Sequence, residues 1–276
     1  MRAAVLQCTS GIDPAANAAM IAEAILEAKA GGADMLFTPE MVGCLDRDRE
    51  RAGRNLTDAA HDIVLTRVRT AAAQAGLWVH LGSLGLTGER ADGRWSNRGF
   101  VIDASGAIRA QYDKMHLFDV DLPGGVSWRE SAVYGAGDAP VAVDTPWARM
   151  GLSICYDLRF ADLYRRLSDA GAELLLVPAA FTVQTGRAHW ETLLRARAIE
   201  SACFVIAAAQ VGHHEDGRDT YGHSLVIDPW GEILLDMGEA PGLGFVDIDF
   251  ARIGEVRARI PVLAHRRLLP EEVSVL

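Results

Sequence analysis

The sequence predicts an α/β protein in which two β-sheets pack face to face between outer helices, a four-layer α-β-β-α sandwich. Strand-like apolar runs alternate with amphipathic helical runs, and half of the 276 residues are hydrophobic, which is enough for a large core. Three segments also recur in the same order. RAAVLQC (2–8) resembles RMGLSIC (149–155), GADMLFTP (32–39) resembles GAELLLVP (171–178), and ADGRWSNRGFVIDASG (91–106) resembles EDGRDTYGHSLVIDPWG (215–231). We therefore expect one domain over residues 1–276, with pseudo-twofold related halves at about 1–147 and 148–250 and a C-terminal extension at 251–276.

The elements follow from local patterns. Apolar runs predict strands at 3–7, 35–38, 78–82, 100–102, 150–154, 174–177, 204–208 and 225–227. The first helix has Asp13 as its cap, Pro14 at its first position and Gly31-Gly32 at its end. Apolar stripes predict further helices near 57–75, 161–170 and 188–202, the last with Ile199 among its inward residues.

Charge and composition exclude several classes of protein. The formal net charge is −10 with no block of like charges, so nucleic acid and anionic membrane surfaces are poor partners. The longest apolar runs are far shorter than the roughly 18 residues that cross a bilayer. Four cysteines in a chain of this length do not form a disulfide framework, and we expect a cytoplasmic location.

Three ionisable side chains follow predicted strands, where α/β proteins place their active residues. Glu40 follows the strand at 35–38, Lys114 follows the hairpin at 100–110, and Cys155 ends the strand at 150–154. Singly, each has an ordinary structural explanation: a helix-start carboxylate, a solvated lysine and a small buried residue. Together they supply the groups that amide hydrolysis requires, because a carboxylate can deprotonate a thiol while an ammonium and the Tyr156 N–H stabilise an oxyanion.

These residues carry a resemblance to a known family. TPE (38–40), KMHLFDVDLPG (114–124) and GLSICYDLRF (151–160) are similar to the glutamate, lysine and cysteine motifs of the nitrilase, or carbon–nitrogen hydrolase, superfamily. GRAHWETLLRARAIE (186–200) and YGHSLVIDPWGEIL (221–234) are equally typical, so the resemblance covers about residues 2–268. It implies the four-layer fold and a Glu-Lys-Cys amidase without metal or organic cofactor.

The resemblance also implies roles. Cys155 would be the nucleophile, Glu40 the general base and Lys114 the oxyanion stabiliser, with Glu130 a second glutamate that orients substrate and lysine; the bland alternative for Glu130 is a surface carboxylate. The cysteine would attack a carboxamide, release ammonia, and form a thioester that water hydrolyses. Relatives pair through helices beside the cysteine motif, so we expect a homodimer that uses the helices near 160–170 and 188–202.

The substrate is expected to be a small anionic amide. The chain resembles Nit-type amidases, most closely the deaminated glutathione amidases, and the alternative is an ω-amidase acting on α-ketoglutaramate or another dicarboxylic monoamide. Arg159 is the candidate for a substrate carboxylate, since a guanidinium can bind it bidentately; its alternative is an ion pair with a nearby aspartate. Phe181 and Thr182 resemble pocket residues of these relatives, and Tyr156 would contact the substrate through its N–H.

The sequence departs from the family pattern at one position near the lysine, and three alternative functions are open to it. Asp113 stands where relatives usually have arginine, and we expect it to face solvent. A Cys-His-Asp hydrolase would use His116, although a local hydrogen bond that holds the lysine loop suits this histidine better. A metal site would use His213, His214 and His223, which flank a polar loop. A non-enzymatic binding protein would leave the three catalytic candidates without a role.

Overall fold

The computed structural model describes residues 1–88, 90–122 and 126–267. Its strands are β1 (Arg2–Gln7), β2 (Met35–Phe37), β3 (Trp78–Leu86), β4 (Ser96–Ile102), β5 (Ile108–Asp113), β6 (Asp119–Leu122), β7 (Val126–Arg129), β8 (Val141–Asp144), β9 (Arg149–Leu152), β10 (Leu174–Leu176), β11 (Phe204–Ala207), β12 (Val211–His213), β13 (Asp219–Tyr221), β14 (Leu225–Ile227), β15 (Ile233–Asp236) and β16 (Gly242–Asp247). Its α-helices are α1 (Pro14–Ala30), α2 (Arg49–Asn55), α3 (Ile63–Ala75), α4 (Ala161–Asp169), α5 (Val183–Ser201), α6 (Ala251–Arg259) and α7 (Val262–His265). Short 3₁₀ turns cover Glu130–Ala132 and Cys155–Arg159.

Local signals explain the best predicted helix. The Asp13 side chain accepts a hydrogen bond from the Ala15 N–H at 2.9 Å, and Pro14 has no N–H that would need a partner in the first turn. The Gly31 N–H bonds to the Glu27 carbonyl, and Gly32 has φ +77°, a conformation that glycine adopts at little cost. The helix α1 therefore begins and ends where the sequence predicts.

The two six-stranded sheets have equivalent topologies. In the first sheet, in the order β16-β1-β2-β3-β4-β5, the strands β1, β2 and β3 are parallel. In the second, in the order β15-β14-β11-β10-β9-β8, the parallel strands are β9, β10 and β11. Each parallel set continues into an antiparallel hairpin, and an antiparallel strand covers the other edge. This order matches the repeated segments, so the internal pseudo-twofold symmetry is confirmed.

The hydrophobic core fills the three interfaces between the four layers of helices and sheets. The helices α1 and α3 pack on the outer face of the first sheet, where residues such as Ile21, Ile25 and Val68 are fully buried. Residues from both sheets share the central core, and α4 and α5 cover the second sheet. Burial of apolar area at about 25 cal/mol per Å² drives this packing. The predicted four-layer α/β fold is confirmed.

Several predicted details differ. The helix expected from residue 57 begins at Ile63, because Asp62 caps it by accepting the Leu65 N–H at 2.7 Å. The helix α2 was not predicted. Ile199, expected to face inward, is 49% exposed. Of the predicted extension at 251–276, the described part forms α6 and α7, while 268–276 lie outside the described residues. The division into halves and extension stays a prediction.

Candidate active site

Glu40 is placed by the close approach of two strands. It follows β2, and the backbone carbonyls of Thr38 and Pro39 lie against Gly82 of β3, where any side chain would overlap them. The glycine therefore lets β3 reach the chain that carries Glu40. The Glu40 carboxylate is buried and accepts the Ala180 N–H on Oε2 at 3.0 Å. A buried carboxylate held in this way points in one fixed direction.

Lys114 follows β5 and is held by backbone bonds on both sides. Its N–H donates to the Asn97 carbonyl at 2.9 Å, and its carbonyl accepts the Gly137 N–H at 2.8 Å. Its Nζ lies 2.9 Å from Glu40 Oε1 and 2.9 Å from Glu130 Oε2. The ammonium is thus clamped between two carboxylates.

Cys155 stands at a sharp turn between β9 and its 3₁₀ turn. It has φ +51°, in the left-handed region that costs a non-glycine residue free energy, and its N–H bonds to the Pro178 carbonyl at 2.9 Å. Hydrogen bonding between its thiol and Glu40 lowers the pKa of the carboxylate and raises the pKa of the thiol. The turn therefore delivers the sulfur to the carboxylate.

Glu130 is not a surface carboxylate. It opens a 3₁₀ turn after β7, and its Oε2 accepts the Phe118 N–H at 2.7 Å as well as the Lys114 ammonium. This bond connects it to the chain that follows Lys114. The four predicted catalytic residues, Glu40, Lys114, Cys155 and Glu130, are therefore brought together.

The charges of the group fix its resting protonation state. Burial disfavours the Lys114 ammonium, but the attraction of Glu130 and Glu40 outweighs it and raises the lysine pKa well above its usual value. Burial also opposes ionisation of Glu40, yet Lys114 and hydrogen bonds from Cys155 and Asn97 lower its pKa. Burial and the Glu40 charge raise the pKa of Cys155 well above its usual value. At rest the site holds a carboxylate, an ammonium and a neutral thiol.

Asn97 is a residue that the sequence analysis missed. It lies in β4, and its Nδ2 donates to Glu40 Oε1 at 3.0 Å and to Glu130 Oε1 at 3.3 Å. An amide shared by two carboxylates fixes their separation, and with it the position of the lysine between them. An asparagine in a strand next to a turn gives no sequence signal of this role, which arises only when β4 pairs with β3.

Asp157 connects the cysteine turn to the lysine loop. This fully buried carboxylate accepts the Ile154 N–H at 2.9 Å, the Tyr112 hydroxyl at 2.7 Å and the His116 N–H at 2.9 Å. His116 also places its Nδ1 2.7 Å from Asp157 and stacks on Phe160 at 3.7 Å between ring centroids. The histidine therefore holds the loop, as the better of its two predicted roles requires.

The group opens into a cavity of about 480 Å³. Cys155, Tyr156, Phe181 and Thr182 line it, as do four arginines: Arg47, Arg49, Arg129 and Arg218. A cavity of this volume with a few converging polar groups is typical of a small-molecule site.

Comparison with known proteins agrees with this geometry. The family model described as "Carbon-nitrogen hydrolase" matches residues 2–258. The chain belongs to the carbon-nitrogen hydrolase family. The deaminated glutathione amidase of Bos taurus is 41% identical to it over 269 residues, which are 96% of this chain and 81% of that protein.

Two solved structures extend the comparison. The Caenorhabditis elegans NitFhit protein has a TM-score of 0.89 at 38% sequence identity, over 96% of this chain and 65% of that one. A mutant of the amidase from Nesterenkonia sp. AN1 has a TM-score of 0.81 at 27% identity, over 97% and 94% of the chains. In that amidase the acetamide moiety of fluoroacetamide is added covalently at the active-site cysteine. The predicted class, a Nit-type amidase of the carbon-nitrogen hydrolase family, is confirmed.

Two residues of this carbon-nitrogen hydrolase lie otherwise than expected. Arg159 is not among the residues that line the cavity: its Nη1 is 3.2 Å from His189 Nδ1, and its guanidinium lies over the Tyr156 and Phe181 rings. Its role in binding a carboxylate stays a prediction that this position does not favour. Asp113 is half-buried and does not face open solvent, because Arg98 binds it bidentately at 2.6 and 2.9 Å.

The residues of the metal rival are used elsewhere. His214 is buried between the Ser10 carbonyl and the Thr220 hydroxyl, and His213 and His223 lie against Asp219 and Asp236. Within residues 1–88, 90–122 and 126–267, no group of three or more metal-ligating side chains is close enough to hold an ion. The helices in these ranges are also too short or too polar to cross a membrane.

Proposed function

We propose that the protein hydrolyses the 2-oxoglutaramyl amide bond of deaminated glutathione through a Cys155 thioester. The observation that carries this proposal is one cavity that is lined both by the Glu40–Lys114–Cys155 group and by four arginines. The substrate has a neutral amide for the former and carboxylates for the latter. The name of the Bos taurus relative, at 41% identity, points to the same compound.

Acylation begins from the resting protonation state. Glu40 takes the Cys155 proton as the sulfur attacks the amide carbon, and the carbonyl electrons move to the oxygen. Because a thiol of raised pKa next to a carboxylate of lowered pKa disfavours free proton transfer, the transfer accompanies C–S bond formation. Lys114 and the Tyr156 N–H stabilise the oxyanion, at about 2.7–4 kcal/mol per donor.

Collapse of this intermediate breaks the C–N bond. Glu40 returns the proton to the leaving amine, and the acyl group stays on Cys155 as a thioester. Water then gives a proton to Glu40 and attacks the thioester carbon, and the departing sulfur takes that proton back. One carboxylate therefore serves both half-reactions, and Glu130 and Asn97 position the Lys114 ammonium and Glu40 throughout.

The leaving group distinguishes the two candidate substrates. Deaminated glutathione has no primary carboxamide, so its cleavage releases cysteinylglycine and not the ammonia that the sequence analysis expected. An ω-amidase acting on α-ketoglutaramate releases ammonia. Both reactions use the same catalytic group, so the arginine-lined cavity is what favours the larger anion.

The test compares kcat/KM for the two substrates, with cysteinylglycine and ammonia measured separately and Cys155→Ala as the blank. We expect a higher kcat/KM on deaminated glutathione and no turnover by the variant. An equal or reversed preference would favour the ω-amidase, and normal turnover by Cys155→Ala would contradict the thioester mechanism.

We also propose that the protein is a homodimer built through the α5 surface. Ile199 on α5 and Trp230 in the β14–β15 turn, whose Gly231 lies against Ile199, are 49% and 47% exposed. Burial in a twofold contact would remove both from water. Sedimentation of the protein and of Ile199→Arg should give a dimer and a monomer; a monomeric unsubstituted protein at micromolar concentration would contradict the proposal. The cytoplasmic location stays a prediction, which the four free cysteines suit.

A further inference from the structure

The polar loop between β12 and β13 contributes an arginine to the cavity. Arg218 lines the cavity and is 18% exposed, although the sequence around it suggests only a solvated turn. Its Nε donates to Asp216 Oδ2 at 2.7 Å, and its guanidinium lies 5.0 Å from the centre of the Trp128 ring. Asp216 is held in turn by the Arg47 N–H at 2.8 Å. The guanidinium plane is therefore fixed before any ligand binds.

The outer edge of this guanidinium is left for a ligand. Nε bonds to Asp216, whereas the two Nη groups form no hydrogen bond with any residue that the structure describes. Two parallel N–H donors on a fixed plane match the two oxygens of a carboxylate. Arg47 adds charge, because its guanidinium lies beside Gly217 of the same loop and has no ion pair within the described ranges.

Arg218 lies at the far end of an aromatic wall that begins at the nucleophile. Tyr156 follows Cys155, and its ring packs edge-on against Phe118 at 5.1 Å. The Phe118 ring centroid lies 6.5 Å from that of Trp128, and the Arg218 guanidinium stacks over the Trp128 ring. Two rings thus separate the arginine from the catalytic turn, so it meets a part of the substrate remote from the scissile bond.

We propose that Arg218, assisted by Arg47, binds the terminal carboxylate of the peptidic leaving group. It thereby selects amides whose leaving group is a dipeptide with a free C-terminal carboxylate. This inference rests on the proposed function. The terminal carboxylate of deaminated glutathione lies two residues beyond the scissile amide, about 7 Å when extended. The ammonia that leaves α-ketoglutaramate has no such group, so Arg218 distinguishes the two substrates through the leaving group alone.

The test is a cycle of two proteins and two substrates. kcat/KM is measured for the unsubstituted protein and Arg218→Gln, each with deaminated glutathione and with its C-terminal glycinamide analogue. We expect the unsubstituted protein to prefer the acid about 10- to 100-fold, as for a charge-assisted bidentate contact, and the variant to lose most of that preference. Arg109→Gln, at an exposed arginine of β5 outside the cavity, is the matched control and should keep it.

A loss of kcat/KM by Arg218→Gln that is equal for both substrates would overturn the assignment and leave the proposed function intact. If the unsubstituted protein hydrolyses neither substrate, the proposed function fails, and the carboxylate site at Arg218 is then tested by calorimetric Kd values of the acid and its glycinamide analogue for Cys155→Ala. Tighter binding of the acid, abolished when Arg218→Gln is added to Cys155→Ala, would support the site. Absence of binding, or equal binding of the two compounds, would refute it.

Discussion

Replacement of Glu40 by glutamine tests the resting protonation state most directly. The variant Glu40→Gln keeps the shape of the side chain but removes the acceptor for the Cys155 proton. It also replaces one oxygen by an NH₂ group, while the neighbours on both sides are donors: Lys114 and Asn97 at Oε1, and the Ala180 N–H at Oε2. In either orientation one donor faces another, so the variant cannot satisfy every hydrogen bond.

The size of the effect follows from these contacts. General-base assistance contributes about 10²–10⁴ in rate, and we expect kcat to fall by that factor. One unsatisfied buried donor costs about 1–3 kcal/mol, so the free energy of unfolding should fall by a similar amount. The fall in kcat exceeds what this change in stability could cause, since the protein remains folded at the assay temperature.

Thiol alkylation separates the base from the fold. With Glu40 as the proposed base for the Cys155 proton, the rate at which iodoacetamide alkylates Cys155 in the unsubstituted protein should vary little between pH 6 and 8. In Glu40→Gln the rate at pH 7 should fall at least about 100-fold and rise tenfold per pH unit, because the proton must then go to water. Burial raises the pKa of Cys8 to about 12 and of Cys203 to about 11, so these serve as slow internal references. A Glu40→Gln protein with an unchanged rate and pH profile would refute the assigned base.

Three further predictions concern the positioning groups. Asn97→Ala should lower kcat about 10- to 100-fold and also lower the unfolding temperature, because the bond that this buried amide shares between two carboxylates is lost; steady-state kinetics well below the melting transition checks this, and an unchanged kcat would contradict it. Asp157→Asn should lower Tm by several degrees, at about 2–4 °C per kcal/mol, since one acceptor oxygen is replaced by a donor facing Ile154 or His116; calorimetry that finds the same Tm would exclude the clamp. Because Lys114 lowers the pKa of Glu40, this carboxylate stabilises the fold above its unfolded pKa of about 4.3, and that stabilisation is lost as the pH falls through the lower folded value. Below about pH 4 the free energy of unfolding should therefore fall less steeply with decreasing pH in Glu40→Gln than in the unsubstituted protein. A difference between the two proteins that develops near pH 6 instead would exclude this origin.

The sequence predicts those parts of the molecule that local chemistry determines. Asp13, Pro14 and Gly31 set the ends of α1, and the repeated segments predict the two equivalent sheets because each segment carries its own strand pattern. Glu40 and Cys155 are predictable since each lies three residues past the end of a parallel strand, where α/β proteins place their active residues. Ile199 is mispredicted because an apolar residue on a helix gives the same sequence signal whether or not the core of its own chain covers it.

The remaining site residues depend on contacts between distant parts of the chain. Asn97 reaches Glu40 across 57 positions, and Arg218 meets Trp128 only after the loop folds over the β6–β7 ribbon. Their neighbours in sequence say nothing about these partners. Arg159 is close to Cys155 in sequence, yet its guanidinium contacts His189 and the Tyr156 and Phe181 rings, so its predicted role in binding a carboxylate stays a prediction.

The distribution of charge in the cavity bears on how a protein of net charge −10 would accept the proposed anionic substrate. The catalytic group holds two carboxylates, Glu40 and Glu130, and one ammonium, Lys114. With the thiol protonated its net charge is negative, so it should repel a carboxylate of the substrate and accept a neutral amide. Four arginines that line the same cavity carry the opposite sign, although Asp46 lines it as well and Arg129 and Arg218 are each paired with an aspartate. We therefore expect an anionic amide to place its scissile bond at Cys155 and its carboxylates away from Glu40 and Glu130, toward the arginines. In deaminated glutathione the two carboxylates lie on opposite sides of the scissile amide, so both avoid the catalytic carboxylates when the neutral amide lies at Cys155. The charges that hold Lys114 should therefore favour the neutral amide at Cys155 over either charged end of the substrate.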